Sequence, residues 1–186
     1  PDAKMGYEAC RQALEHPATA MGNVGAGTGA TVGKLCGMER ASKTGIGYYA
    51  MALGELQVAA VVVVNALGDI FDPANGAKIA GLMNEDRTAF GDSCEELWKL
   101  GCPQNLFTGN TTIGAVITNG QFNKAQMNKI ASMTRNAYAR CINPVGTMAD
   151  GDSIYAASIG DVKADINVTG TLAAHVMERA IVKAVE

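Results

Sequence analysis

Histidine, aromatic residues and long apolar runs are all scarce in this sequence. The two histidines, His16 and His175, are far apart, and neither lies in a serine or cysteine motif. A Ser–His–Asp or Cys–His triad therefore has little support. The cysteines are odd in number, at positions 10, 36, 94, 102 and 141, and none forms a CxxC pair. That argues against a structural zinc or a disulfide framework, and for reduced, buried thiols in a cytoplasmic protein. The calcium-loop pattern is missing too, so neither metal nor cofactor is expected. Basic patches are absent and the net charge is −3, which argues against a nucleic-acid partner. The longest apolar run, Val58 to Val64, is too short to cross a bilayer. Pro1-Asp2-Ala3-Lys4 lacks the apolar core of a signal peptide. With no initiator methionine, the chain is expected to begin inside a longer gene product or after processing.

What is abundant is glycine. The 22 glycines concentrate at Gly22–Gly33 and Gly45–Gly54 and recur before Thr111. Such clusters mark tight turns and close backbone approaches. The chain is expected to be one domain spanning residues 1–186. Met5, Ala9, Cys10, Ala13 and Leu14 share helical spacing. Ile46–Leu53 and Leu56–Ala66 read as a hairpin about Gly54-Glu55. The second run is apolar throughout, which predicts a strand covered on both faces. Asp92–Leu100 reads as a helix, 102–109 as a surface loop and Thr112–Thr118 as a strand. Asn123–Cys141 carries one amphipathic helical stripe, stopped at Asn143-Pro144. Ser153–Ile159 alternates as a strand and Thr171–Val185 closes as a helix carrying His175. This order predicts layered α/β packing.

Several short patterns bear on chemistry. The loop Gly22-Asn23-Val24-Gly25-Ala26-Gly27-Thr28-Gly29-Ala30 fails the dinucleotide fingerprint, because its third glycine comes one residue early and a helix precedes it. Gly33-Lys34 fails the phosphate loop, because Leu35 stands where a hydroxyl should hold magnesium. In Gly109-Asn110-Thr111-Thr112-Ile113-Gly114, an irregular stretch runs into a hydroxyl residue that opens a buried strand. A hydroxyl there can attack the carbonyl before it and leave a threonine with a free amine. An α-amine has an ordinary pKa near 8 and can act as a base close to neutrality. Taken alone, the pattern is better accounted for by a strand start with two β-branched residues, which is common. Asp150-Gly151-Asp152 sets two carboxylates on a turn, where they can orient a lysine or cap the turn. Lys43, at the mouth of the apolar hairpin, calls for a carboxylate partner if it is buried. Asn65 ends the valine run, so its amide must find partners or face a cavity.

Five ordered segments together resemble the DmpA-type family of L-aminopeptidase/D-amidase/D-esterases, which includes β-peptidyl aminopeptidases and a nylon-oligomer hydrolase. They are Pro1–Cys10, Gly22–Ala30, Val63–Asp69, Asn110–Gly114 and Asp150–Asp152. The resemblance implies a four-layer αββα sandwich lacking an N-terminal portion. It implies self-cleavage between Asn110 and Thr111, giving an α-chain portion, 1–110, and a β-chain portion, 111–186. On that basis Thr111 is the nucleophile, Asn65 donates to the oxyanion, Lys43 sits near the nucleophile and Asp150 and Asp152 hold the network. The substrates implied are small peptides or amino-acid amides, handled through an acyl-enzyme by a homo-oligomer of αβ units. The sequence departs from the family at Thr44, in a usual glycine position, and at Gly146, in a frequent histidine position. Two alternatives stay open: a non-catalytic scaffold or assembly subunit, and an acyltransferase of the ornithine acetyltransferase type.

Overall fold

The computed structural model describes residues 2–15, 20–101 and 109–185. The expected loop at 102–109 lies almost wholly outside them, as do Cys102 and His16. The first helix, α1 (Ala3–Glu15), buries none of its residues. After the glycine loop, which coils into one tight turn at Gly25–Gly29, β1 (Thr31–Val32) pairs with β2 (Ser42–Lys43).

The hairpin forms as read: β3 (Ile46–Leu53) and β4 (Leu56–Val63) pair antiparallel about Gly54-Glu55. Two short strands follow, β5 (Asp69–Phe71) and β6 (Lys78–Ala80). Next comes α2 (Ser93–Leu100), capped by the Asp92 carboxylate on the Cys94 and Glu95 amides. Strand β7 (Ile113–Gly120), buried on alternate residues, inserts beside β4. The single helix expected over Asn123–Cys141 is two, α3 (Lys124–Thr134) and α4 (Asn136–Cys141). They break where buried Thr134 turns its hydroxyl back onto the Ile130 carbonyl, 2.8 Å away, a contact that bends helices. Strand β8 (Ile142–Asn143) joins β5 and β6 in a three-stranded sheet. Strand β9 (Ser153–Val162) runs parallel to β7. The last helix, α5 (Ile166–Lys183), starts five residues earlier than expected, at the Asp165 cap.

The main sheet has the order β3-β4-β7-β9. Helices α3 and α5 cover one side of it. Val58, Ala60, Val62 and Val116 meet Ile130, Met177 and Ile181 there in one core. Close approach has a requirement: a Cβ on Gly47 would lie 2.1 Å from the Ala180 carbonyl oxygen of α5. Of the four layers implied by the resemblance, the described residues form this helix layer and sheet. The expectation that β4 is covered on both faces is corrected. Its residues alternate between buried and partly open, because the helices lie on one side while the other meets the glycine loop at its Val63 end. The register places Tyr48, Val61, Ala115 and Tyr155 in one row across that open face, and Ala50, Ala59, Ile117 and Ala157 in the next. The expectation of buried thiols also holds only in part. Cys141 is buried, Cys36 and Cys94 are half-buried, and Cys10 is exposed; all four are free. No helix among the described residues is long and apolar enough to cross a membrane.

Candidate active site

Thr111 stands two residues before β7, and the sheet pattern continues past the strand's formal start. Asn110 bridges Asp150 in the parallel sense. The Gly151 amide donates to the Asn110 carbonyl at 3.0 Å, and the Ser153 amide to the Thr112 carbonyl at 3.1 Å. On the other edge, the Thr111 amide donates to the Asn65 carbonyl at 2.8 Å. The Asn110–Thr111 peptide is thus clamped between the end of β4 and the approach to β9. Asn110 is 2% and Thr112 0% exposed, while Thr111 between them is half-buried. Alternation along the strand accounts for this: Thr112 points to the helices, and Thr111 and Ile113 to the open face.

The Thr111 hydroxyl donates to the carbonyl oxygen of Asn110, 2.6 Å away. A nucleophile-type oxygen therefore rests against the carbonyl of its own upstream peptide. Asn65 lies alongside, as expected for an amide ending a buried strand. Its Nδ2 donates to the Gly109 carbonyl at 2.8 Å, and its Oδ1 accepts from the Thr31 amide at 3.2 Å.

That same Oδ1 accepts from the Lys34 ammonium at 2.8 Å. Sequence reasoning gave this place to Lys43, which the structure puts elsewhere. The Lys43 Nζ donates to the carbonyls of Gly27, Ala30 and Thr44, and so ties the glycine loop to β2. The carboxylate partner expected for Lys43 is not seen among the described residues; the lysine on which the Asp150 charge acts is Lys34. Lys34 arrives through a turn at Gly33, whose φ is +67° and where a Cβ would meet the Leu82 amide nitrogen at 2.0 Å. Its own amide and that of Gly33 donate to the carbonyls of Leu67 and Gly68, just past Asn65. A Gly-Lys pair was visible in the sequence, but no periodicity announces a lysine delivered by a loop. Burial pushes Lys34 down to about 8, with Asp150 opposing the shift.

The two aspartates do different work. The Asp150 carboxylate accepts from the Thr147 amide at 2.9 Å and its hydroxyl at 2.8 Å. Asp152 turns to the helix side, where its Oδ1 accepts from the Thr112 amide at 2.8 Å. Burial raises Asp152 above the usual carboxylate range, the Thr112 bond opposes that, and the Asp150 charge adds to it. The site thus brings together Asn110, Thr111, Asn65 and Asp150 with Lys34, and reaches Asp152 through the Thr112 backbone. Beside Thr111 lies a cavity of about 400 Å³, walled by Ala26, Gly29, Ala30, Val63 and Ile113, with Asn65 and Thr111 as its polar members. His175 is remote on α5, 3.8 Å from the Glu178 carboxylate. Among the described residues no group of three or more His, Cys, Asp or Glu could hold a metal ion.

Comparison with known proteins adds to this geometry. The chain is 34% identical over 174 residues to an uncharacterized aminopeptidase of Mycobacterium leprae, covering 88% of this chain and 46% of that protein. It is 30% identical over 202 aligned positions to the 6-aminohexanoate-oligomer endohydrolase of Kocuria sp., covering 99% of this chain and 56% of that protein. The chain thus spans about half the length of these relatives. Among solved structures, the L-aminopeptidase D-Ala-esterase/amidase of Ochrobactrum anthropi, a variant of the Ntn-hydrolase fold, superposes with a TM-score of 0.62 at 18% identity, over 94% of this chain and 47% of that one. The PH0078 protein of Pyrococcus horikoshii superposes with a TM-score of 0.61 at 19% identity, over 95% of this chain and 48% of that one. These likenesses share the fold, and the family's model matches residues 2–186, so the chain belongs to peptidase family S58.

Proposed function

We infer that this chain carries the nucleophile and its partners for a self-processing amide hydrolase. The observation that carries the reading is the Thr111 hydroxyl set 2.6 Å from the carbonyl oxygen of Asn110, within a cluster of Asn65, Lys34 and Asp150. The hydroxyl adds to the Asn110 carbonyl carbon, the C–N bond breaks, and water releases the ester. The new N-terminal Thr111 then attacks substrate amides and forms an acyl-enzyme. Lys34 is the base in this scheme, since an amine held near 8 is partly neutral at working pH. Once the Gly109 segment moves away, the Asn65 amide is free to donate to the oxyanion of the turnover step. The apolar cavity beside Thr111 suits the acyl part of a short linear substrate. The relatives named as aminopeptidase and as 6-aminohexanoate-oligomer endohydrolase support short peptides or amino-acid amides as that class.

N-terminal sequencing and intact mass after incubation test the reading. We expect a new terminus at Thr111, and neither cleavage nor amide turnover in Thr111→Ala. Hydrolysis retained by that variant rejects it. Assembly of αβ units into a homo-oligomer belongs to the same reading, and light scattering of the processed material checks it.

A further inference from the structure

In the uncut chain, the Asn65 amide is not placed on the carbonyl that self-cleavage must attack. Its Nδ2 donates to the Gly109 carbonyl, one residue upstream. The Asn110 carbonyl points the other way, toward β9, because successive carbonyls of an extended strand alternate between its two edges. There it meets the main-chain N–H of Gly151 at 3.0 Å, a distance typical of a sound hydrogen bond. The Thr111 hydroxyl reaches the same oxygen from its own side.

We propose that the Gly151 main-chain N–H is the oxyanion donor for self-cleavage at Asn110–Thr111, a role separate from that of Asn65 in turnover. The proposal rests on the self-processing reading above. In the step concerned, the Thr111 oxygen bonds to the Asn110 carbonyl carbon and the carbonyl electron pair moves onto the Asn110 oxygen. The hydroxyl proton ends on the Thr111 nitrogen as the C–N bond breaks, giving an ester and a free amine. Negative charge gathers on the one oxygen that Gly151 already faces. The donor is fixed by the ladder before the charge develops, so no reorganisation is needed when it does.

The residue type at 151 has its own explanation here. Its φ lies outside the left-handed region, so backbone conformation does not demand glycine. Space does: a Cβ would sit 2.7 Å from the Thr111 hydroxyl oxygen and 3.8 Å from the Asn110 carbonyl oxygen. A side chain would push the attacking group off the carbonyl that the N–H holds.

The test replaces this one N–H with an ester oxygen. Cys141 allows it: a synthetic 141–186 peptide carrying glycolate at position 151 is ligated to a recombinant 1–140 thioester and the full chain is refolded. Cleavage is followed by intact mass beside an all-amide chain made the same way, with circular dichroism confirming equal folding. We expect the all-amide chain to yield Thr111 and the ester chain to do so about 100-fold more slowly, the usual loss for one oxyanion donor. Equal rates overturn the donor role and leave the self-processing reading standing. An all-amide chain that stays intact overturns both. Should the ester chain not refold, the Thr111→Ala chain decides, through the hydrogen-bond coupling between the Gly151 nitrogen and the Asn110 carbonyl carbon. Its presence upholds the donor and its absence overturns it.

Discussion

Burial lowers the Lys34 ammonium to about 8, so near that pH half of it is free base. If Lys34 takes the Thr111 proton, cleavage must quicken as pH rises through about 8. The Lys34→Met variant should cleave at least about 100-fold more slowly and lose that rise, which a pH series of intact-mass time courses reads out. The same shift has a stability consequence. Between about 8 and the ordinary 10.5, the folded chain holds fewer protons at Lys34 than the unfolded chain, so stability from this group rises with pH. Urea midpoints should therefore move in favour of wild type over Lys34→Met from pH 8 to pH 10. Asp152 titrates in the opposite sense. Its folded pKa is raised, so its contribution to stability is greatest at low pH and is lost as pH climbs through that raised value. Asp152→Asn keeps an acceptor for the buried Thr112 amide and removes the buried charge. Asp152→Ala leaves that amide unpaired and should be less stable than the Asn variant by about 1–3 kcal/mol in urea titrations at pH 7.

Elements meet at very short range where a strand carries glycine. Helix α5 crosses β3 at Gly47, and the atom a side chain would strike is a helix carbonyl with no rotamer to relieve it. Gly47→Val should lower stability by about 1–3 kcal/mol, seen as a lower thermal midpoint. Because a side chain at Gly47 points to α5 and Thr111 to the opposite, open face, the variant should still self-cleave at temperatures where it is folded. Element existence was largely legible in the sequence. β-rich runs about a Gly54-Glu55 turn gave the β3–β4 hairpin, alternation gave β9, and β7 and the final helix were also expected, the helix with a start five residues late. The break at Arg135 was not legible, because it depends on which carbonyl the buried Thr134 hydroxyl finds. A continuous apolar run also cannot say whether both faces of β4 are covered, since that depends on what the rest of the fold lays against it.

Across the whole molecule, the open side of the main sheet is strongly apolar. Tyr155 is 66% and Ile159 72% exposed on β9, and the Thr111 cavity opens beside the same face through Val63 and Ile113. Contiguous apolar surface of this kind drives association. These 186 residues should self-associate and bind a hydrophobic dye. Replacing Tyr155 and Ile159 by lysine should reduce both signals without lowering the thermal midpoint, as read by light scattering and fluorescence. Unchanged association would place the contact elsewhere.

Local pattern was sufficient for the β3–β4 hairpin, β7, β9 and the existence of the main helices, because hydrophobic period and turn chemistry act over a few neighbouring residues. It also placed Asn65, Asp150 and Asp152 among the residues of interest. Which lysine meets Asn65, which aspartate faces the cation and which amide meets the Asn110 carbonyl came only from the tertiary structure. Each depends on a strand register or a loop packing that joins residues distant in sequence: 31 positions for Lys34 and Asn65, 41 for Asn110 and Gly151, and 116 for Lys34 and Asp150. No short-range preference encodes such a meeting.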